Sequence, residues 1–144
     1  MRLFLLIMVV FTTSTPLRAQ PNSDDKAKAV QAMGVYVASD DLQRSAVFYQ
    51  TLFEKDPVIR LPDFIAFDIE GGWFAIASRE KYAPGSQPGA GAVPYIQSGD
   101  LEEMRERVAR ATEKSAPAII VEPGIQILKV EDPDGQLVEF FSFQ

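Results

Sequence analysis

The chain has 144 residues, with 14 Lys and Arg against 20 Asp and Glu, and a net charge of −6. It contains no cysteine and no histidine. This removes disulfides, thiolate nucleophiles and Cys-zinc sites, as well as the commonest metal ligand and the commonest general base at neutral pH. An apolar content of 47% is enough for a packed core, and an acidic surface repels phosphate backbones, so nucleic acid is excluded as a partner.

At the start, MRLFLLIMVVFTTSTPLRAQ has the layout of a targeting segment. Arg2 supplies a positive charge, 3–11 is a short apolar run, and Ala19 offers a small residue for cleavage. The run is too short to span a bilayer, which takes about 20 apolar residues. The expectation is a secretory signal peptide over 1–19 and an exported protein, periplasmic or secreted, with no stable membrane anchor after cleavage. The alternative is an apolar N-terminal strand or helix. Loss of Arg2 and Arg18 would leave 12 basic residues against 20 acids, a net charge of 12 − 20 = −8. Residues 20–33 are polar and Ala-rich and read as a flexible tether.

Next comes VYV at 35–37, a short strand, and then Asp40 and Asp41 at the position of a helix N-cap. Leu42, Ala46, Tyr49, Leu52 and Phe53 recur near every 3.6 residues, which predicts an amphipathic helix over 42–53 that Pro57 stops. Strands are expected at 58–61, 64–69 and 73–78, with Pro62-Asp63 and Gly71-Gly72 as turns. The Gly- and Pro-rich stretch 79–92 reads as a linker. The order then repeats: a strand at 94–97, a helix capped by Asp100 with Glu103 at capping-box spacing, and strands at 118–121, 125–130 and 137–143. YVASDDLQ at 36–43 and YIQSGDLE at 95–102 match in register, which marks the first strand and helix cap of two copies of one module. A βαβββ unit of about 50 residues cannot cover its own sheet, whereas two copies can.

Two stretches, DDLQRSAVFYQTLF at the first helix and EDPDGQLVEFF at the last strand, make the sequence resemble the vicinal oxygen chelate superfamily. That superfamily includes glyoxalase I, extradiol dioxygenases and bleomycin-resistance proteins. The resemblance covers 34–143 and implies an α+β fold. Two βαβββ modules in tandem, 34–78 and 93–143 with the linker 79–92 between them, would form an open, concave mixed-sheet barrel with helices outside. It also allows a homodimer that exchanges modules between chains.

Enzymes of the superfamily hold a divalent metal through the first and last strands of each module. The resemblance puts the first-strand ligands at Gly34 and Val93, and the last-strand ligand of module two at Glu139. Aligning Gly72 with Gly135 puts Ile76 at the matching place in module one. Only Glu139 has a ligating side chain, and one carboxylate does not hold such a metal, so neither a metal nor another cofactor is expected. Strand alternation from these positions points Tyr36, Phe74, Tyr95, Gln97, Leu137, Glu139 and Phe141 into the cavity and turns Trp73 away from it. This aromatic pocket with few polar groups is the usual make-up of a small-molecule site. The second reading of the tyrosines is core filler. Two readings of Glu139 stand: a general acid or base, and a relic solvated at the mouth or tied to Lys129 or Arg60.

The expected function is therefore an exported, metal-independent binder of a small apolar or aromatic molecule. Two alternatives stand beside it: a metal-dependent lyase or dioxygenase using Glu139, and a structural or interaction domain with a filled cavity. No catalytic residue is singled out.

Overall fold

The structure is a computed structural model that describes residues 32–144. The expected signal peptide over 1–19 and all but the last two residues of the expected tether lie outside the described residues.

The first repeat comprises β1 (Gly34–Ser39), α1 (Leu42–Phe53), β2 (Ile59–Leu61), β3 (Phe64–Ile69) and β4 (Gly72–Ser78). A single helical turn, α2 (Arg79–Tyr82), opens the stretch expected to be plain linker. The second repeat comprises β5 (Tyr95–Gln97), α3 (Leu101–Thr112), β6 (Ile120–Glu122), β7 (Ile125–Glu131) and β8 (Leu137–Phe143). Both long helices start on an aspartate. Asp41 Oδ1 accepts from the amides of Gln43 and Arg44 at 3.1 and 3.0 Å, and Asp100 Oδ1 accepts from the Glu103 amide at 3.0 Å. The capping box of α3 is only half made. The Glu103 carboxylate turns to Arg107 instead, and the Asp100 amide bonds to Ser98 Oγ. Each helix ends on a glutamate in the left-handed region, Glu54 and Glu113, where glycine is usual. The Glu54 carboxylate reaches Arg107 and Arg110 of α3, both at 3.0 Å, and so joins the end of one helix to the flank of the other.

The strands form two separate four-stranded sheets, ordered β1-β4-β3-β2 and β5-β8-β7-β6. In each, the first strand of the repeat runs parallel to the last and the remaining pairs are antiparallel. Among the described residues no ladder joins β1 to β5, so the eight strands do not close. Each sheet buries one face against its helix, and α1 and α3 also pack on each other. One apolar cluster runs through both repeats, from Tyr49, Leu52, Phe67 and Ile76 to Val108, Leu128 and Phe140. Among the described residues, neither long helix packs on the opposite face of either sheet.

A second joint is polar. The turn Asp132-Pro133-Asp134-Gly135 of the second repeat reaches α1 of the first. Tyr49 Oη donates to Asp132 Oδ2 at 2.8 Å, Ser45 Oγ donates to Asp134 Oδ2 at 2.8 Å, and Arg44 pairs with Asp134 Oδ1 at 3.0 Å. The other Asp132 oxygen takes the amides of Asp134 and Gln136 at 2.9 and 2.8 Å, which closes the turn on itself. Ser39 and Ser45 share a buried hydroxyl contact at 2.8 Å beneath it. The stretch closes as a turn and also fastens the two repeats together.

Candidate binding surface

Strand register decides which residues share the helix-free faces. Tyr36 pairs with Ala75, and Tyr95 pairs with Glu139. Since Tyr36 and Tyr95 occupy matching places in the repeat, Ala75 is the counterpart of Glu139, and the assignment of Ile76 to that place was one residue out. The turn glycines explain the slip. Gly135 has φ of 77° and its true partner is Gly71, with φ of 84°, rather than Gly72. Moving a strand alignment by one residue exchanges its two faces. Phe74 and Ile76 therefore lie in the core, where Phe74 packs against the rings of Tyr49 and Phe53 and is only 2% exposed. Trp73, expected to turn away from the cavity, is 42% exposed on the open face.

The corrected set of metal positions is Gly34, Ala75, Val93 and Glu139. Glu139 is the only one with a ligating side chain, and its Oε1 lies 3.0 Å from Lys129 Nζ. Among the described residues no three Asp or Glu side chains converge as a metal would require. The residues present do not fit the metal of the superfamily's enzymes, because an ammonium stands against the one remaining carboxylate.

Five of the seven candidate residues come together on the open face of the second sheet. The Tyr95 ring stacks on Phe141 with centroids 4.1 Å apart and planes 6° apart, and Phe141 meets the edge of Phe143 at 5.3 Å. Glu139 lies opposite Tyr95, Gln97 lies opposite Phe141, and Leu137 shares their parity on β8. Tyr36 stands on the open face of the first sheet, 50% exposed, as is Tyr95. Phe74 is the one candidate on the wrong face. Its edge nevertheless borders a cleft of about 570 Å³ between the start of β1 and β4 on one side and β5 on the other, lined also by Val35, Trp73, Tyr95 and Gln97. Sequence reasoning missed Trp73 and Phe143, which is 68% exposed. No sequence signal separates Gly71 from Gly72, so Trp73 was not recoverable from the letters, whereas the i, i+2 spacing from Phe141 marks Phe143.

Shifted acidities gather elsewhere, in the polar joint. Burial pushes the Asp132 carboxyl up, against the opposing hydrogen bonds from Tyr49 and two amides. Burial acts in the same direction on Asp134, but the hydroxyls of Ser39 and Ser45, the Asp40 amide and the Arg44 charge outweigh it and hold that carboxyl below its ordinary value. Burial, then the neighbouring Asp132 charge, holds the Tyr49 phenol well above the usual range. No buried side-chain N or O among the described residues lacks a partner, so these groups serve the joint and leave nothing aimed at a substrate.

No family model matches the chain, and comparison with curated proteins finds no significant match. Among solved structures, similarity is high in fold and low in sequence. A glyoxalase/bleomycin resistance protein from Catenulispora acidiphila superposes with a TM-score of 0.65 at 19% identity, covering 80% of this chain and 100% of that one. A lactoylglutathione lyase from Agrobacterium tumefaciens gives 0.60 at 21% identity, covering 78% and 96%. A bleomycin resistance determinant encoded on the transposon Tn5 gives 0.60 at 20% identity, covering 77% and 96%. At these identities the likeness concerns the fold, and the resemblance read from the two sequence stretches holds at that level: the chain adopts the glyoxalase/bleomycin-resistance fold, α+β, with two βαβββ modules in tandem and sheets that do not close.

Proposed function

We propose that this chain is an exported protein that binds a small apolar or aromatic molecule without a metal. The observation that carries the reading is the exchange of function at the ligand positions. Three of the four lack a ligating side chain, the fourth carboxylate is paired with Lys129, and the surrounding open faces present Tyr36, Trp73, Tyr95 and Phe143 to solvent. Exposed aromatic area of this kind is what a ligand or a partner surface covers. The N-terminal apolar run with its cleavable flank supports export. Because each open face belongs to a separate sheet, a homodimer that brings the first sheet of one copy over the second sheet of another would enclose the ligand.

Elemental mass spectrometry tests metal independence after exposure to Mn²⁺, Fe²⁺, Ni²⁺ and Zn²⁺ and desalting. The expected result is a metal content far below one per chain. Near-stoichiometric metal that disappears in Glu139→Gln would overturn the reading in favour of a metal-dependent lyase or dioxygenase. Light scattering across a concentration series tests the dimer, and detection of the cleaved N-terminus outside the cytoplasm tests export.

A further inference from the structure

The second sheet's open face has polar chemistry that a purely apolar ligand would not use. Lys129 and Glu139 are cross-strand partners on β7 and β8, Tyr95 lies beside Glu139 on β5, and Phe141 carries the stacked Tyr95 ring. Glu139 Oε1 takes the ammonium at 3.0 Å. The Glu139 side chain is 16% exposed, and no hydrogen bond to its other oxygen occurs among the described residues. Lys129, about half exposed and ion-paired with Glu139, carries three N–H donors. A donor and an acceptor thus stand side by side next to an aromatic platform.

Charge narrows what fits there. A lone anion would meet the free oxygen of Glu139 as well as the ammonium, in a protein with net charge −6. A lone cation would meet the ammonium. A neutral group with an adjacent acceptor and donor satisfies both, and the cost of stripping water from the pair is then offset by two charge-assisted hydrogen bonds. We infer that this face recognises a planar heteroaromatic ring carrying a carbonyl next to a ring N–H, a cyclic amide or imide. The ring stacks on the Tyr95–Phe141 platform, the carbonyl accepts from Lys129, and the N–H donates to Glu139. The inference rests on the reading of the chain as a binder of small aromatic molecules and names the ligand class.

The test is calorimetric titration of the purified protein with three bicyclic probes: carbostyril, a neutral ring lactam; N-methylcarbostyril, which lacks the donor; and naphthoate, an anion of similar area. Carbostyril is expected to bind about tenfold more tightly than its N-methyl form, the effect of one hydrogen bond to a charged group. Glu139→Met should remove that preference, whereas Lys129→Met should weaken both lactams alike and leave it, each with a thermal midpoint close to wild type, and Lys129→Arg should recover part of the affinity lost in Lys129→Met. Equal binding of the lactam and its N-methyl form, abolished by Tyr95→Ala, would overturn donor–acceptor recognition and leave the aromatic-binder reading intact. Tightest binding of naphthoate would overturn it in favour of anion capture by Lys129. Failure of every probe to bind would sink both readings.

Discussion

Replacing Tyr49 with Phe removes one oxygen from the joint between the repeats and changes almost nothing else in shape. The lost contact is the 2.8 Å hydrogen bond to Asp132 Oδ2. Asp132 Oδ1 is already committed to two backbone amides, and both residues are buried, so no water takes the place of the hydroxyl. A hydrogen bond to a charged acceptor contributes about 1.5–3 kcal/mol. For a domain of this size that corresponds to a fall in midpoint temperature of roughly 6–12 °C, or about 1 M in a urea midpoint. The loss depends on pH. Burial already raises the Asp132 carboxyl in the folded protein, and the tyrosine hydroxyl counteracts that rise. Without the hydroxyl the folded carboxyl rises further and takes up a proton at higher pH. Protonation relieves the buried charge, so the gap between wild type and variant is fullest at neutral pH and narrows in acid, towards the ~1 kcal/mol of a neutral hydrogen bond. Urea titrations of both proteins at pH 7 and at descending pH measure this directly. Equal midpoints at pH 7, or a gap that widens in acid, would refute the account of the joint.

Asp134 has the opposite sign. Its folded carboxyl lies below the ordinary value, so its contribution is present above about pH 4 and is lost as pH falls through the depressed folded value. Asp134→Asn should therefore be less stable than wild type at neutral pH, and the two unfolding curves should converge in acid. Gly89 has φ of 72°, and a Cβ there would meet the Gly135 carbonyl oxygen at 2.5 Å. Gly89→Ala is expected to lower stability by about 2 kcal/mol or more, read as a urea midpoint, because left-handed strain and overlap add together. The buried Arg79 guanidinium bonds to Asp40, to the Ala38 carbonyl, to Ser86 Oγ and to the Gln87 carbonyl, which ties the connector to β1. Arg79→Met should make 83–92 the first site of cleavage in limited proteolysis, while wild type resists there. Unchanged cleavage would mean that the connector is held by its other contacts, such as the 3.3 Å bond from Gln136 Nε2 to the Ala92 carbonyl.

The candidate site was legible in part, and the line of failure is a physical one. Tyr95, Gln97, Leu137, Glu139 and Phe141 were placed correctly relative to one another because β8 follows directly from a turn with a single glycine, which fixes its register. In the first repeat Gly71 and Gly72 offered two choices. Only Gly71 has the positive φ, and nothing in the letters distinguishes two adjacent glycines. The wrong choice exchanged Phe74 with Trp73. The missing half of the capping box has a similar origin: Glu103 has the right spacing from Asp100, but Arg107 one turn along competes for its carboxylate at 3.0 Å.

The sequence alone determined the element order, the helix caps, the tandem repeat and the absence of cysteine and histidine. These follow from local spacing, backbone preference and side-chain chemistry, each carried by residues a few positions apart. Tertiary structure decided that the strands of the open barrel fall into two separate sheets, that Asp132 and Asp134 serve the joint with α1, and that Glu139 pairs with Lys129 rather than Arg60. Those outcomes depend on pairs 10 to 90 positions apart in the chain. Such pairs meet only once packing has fixed which faces are buried and which are left open.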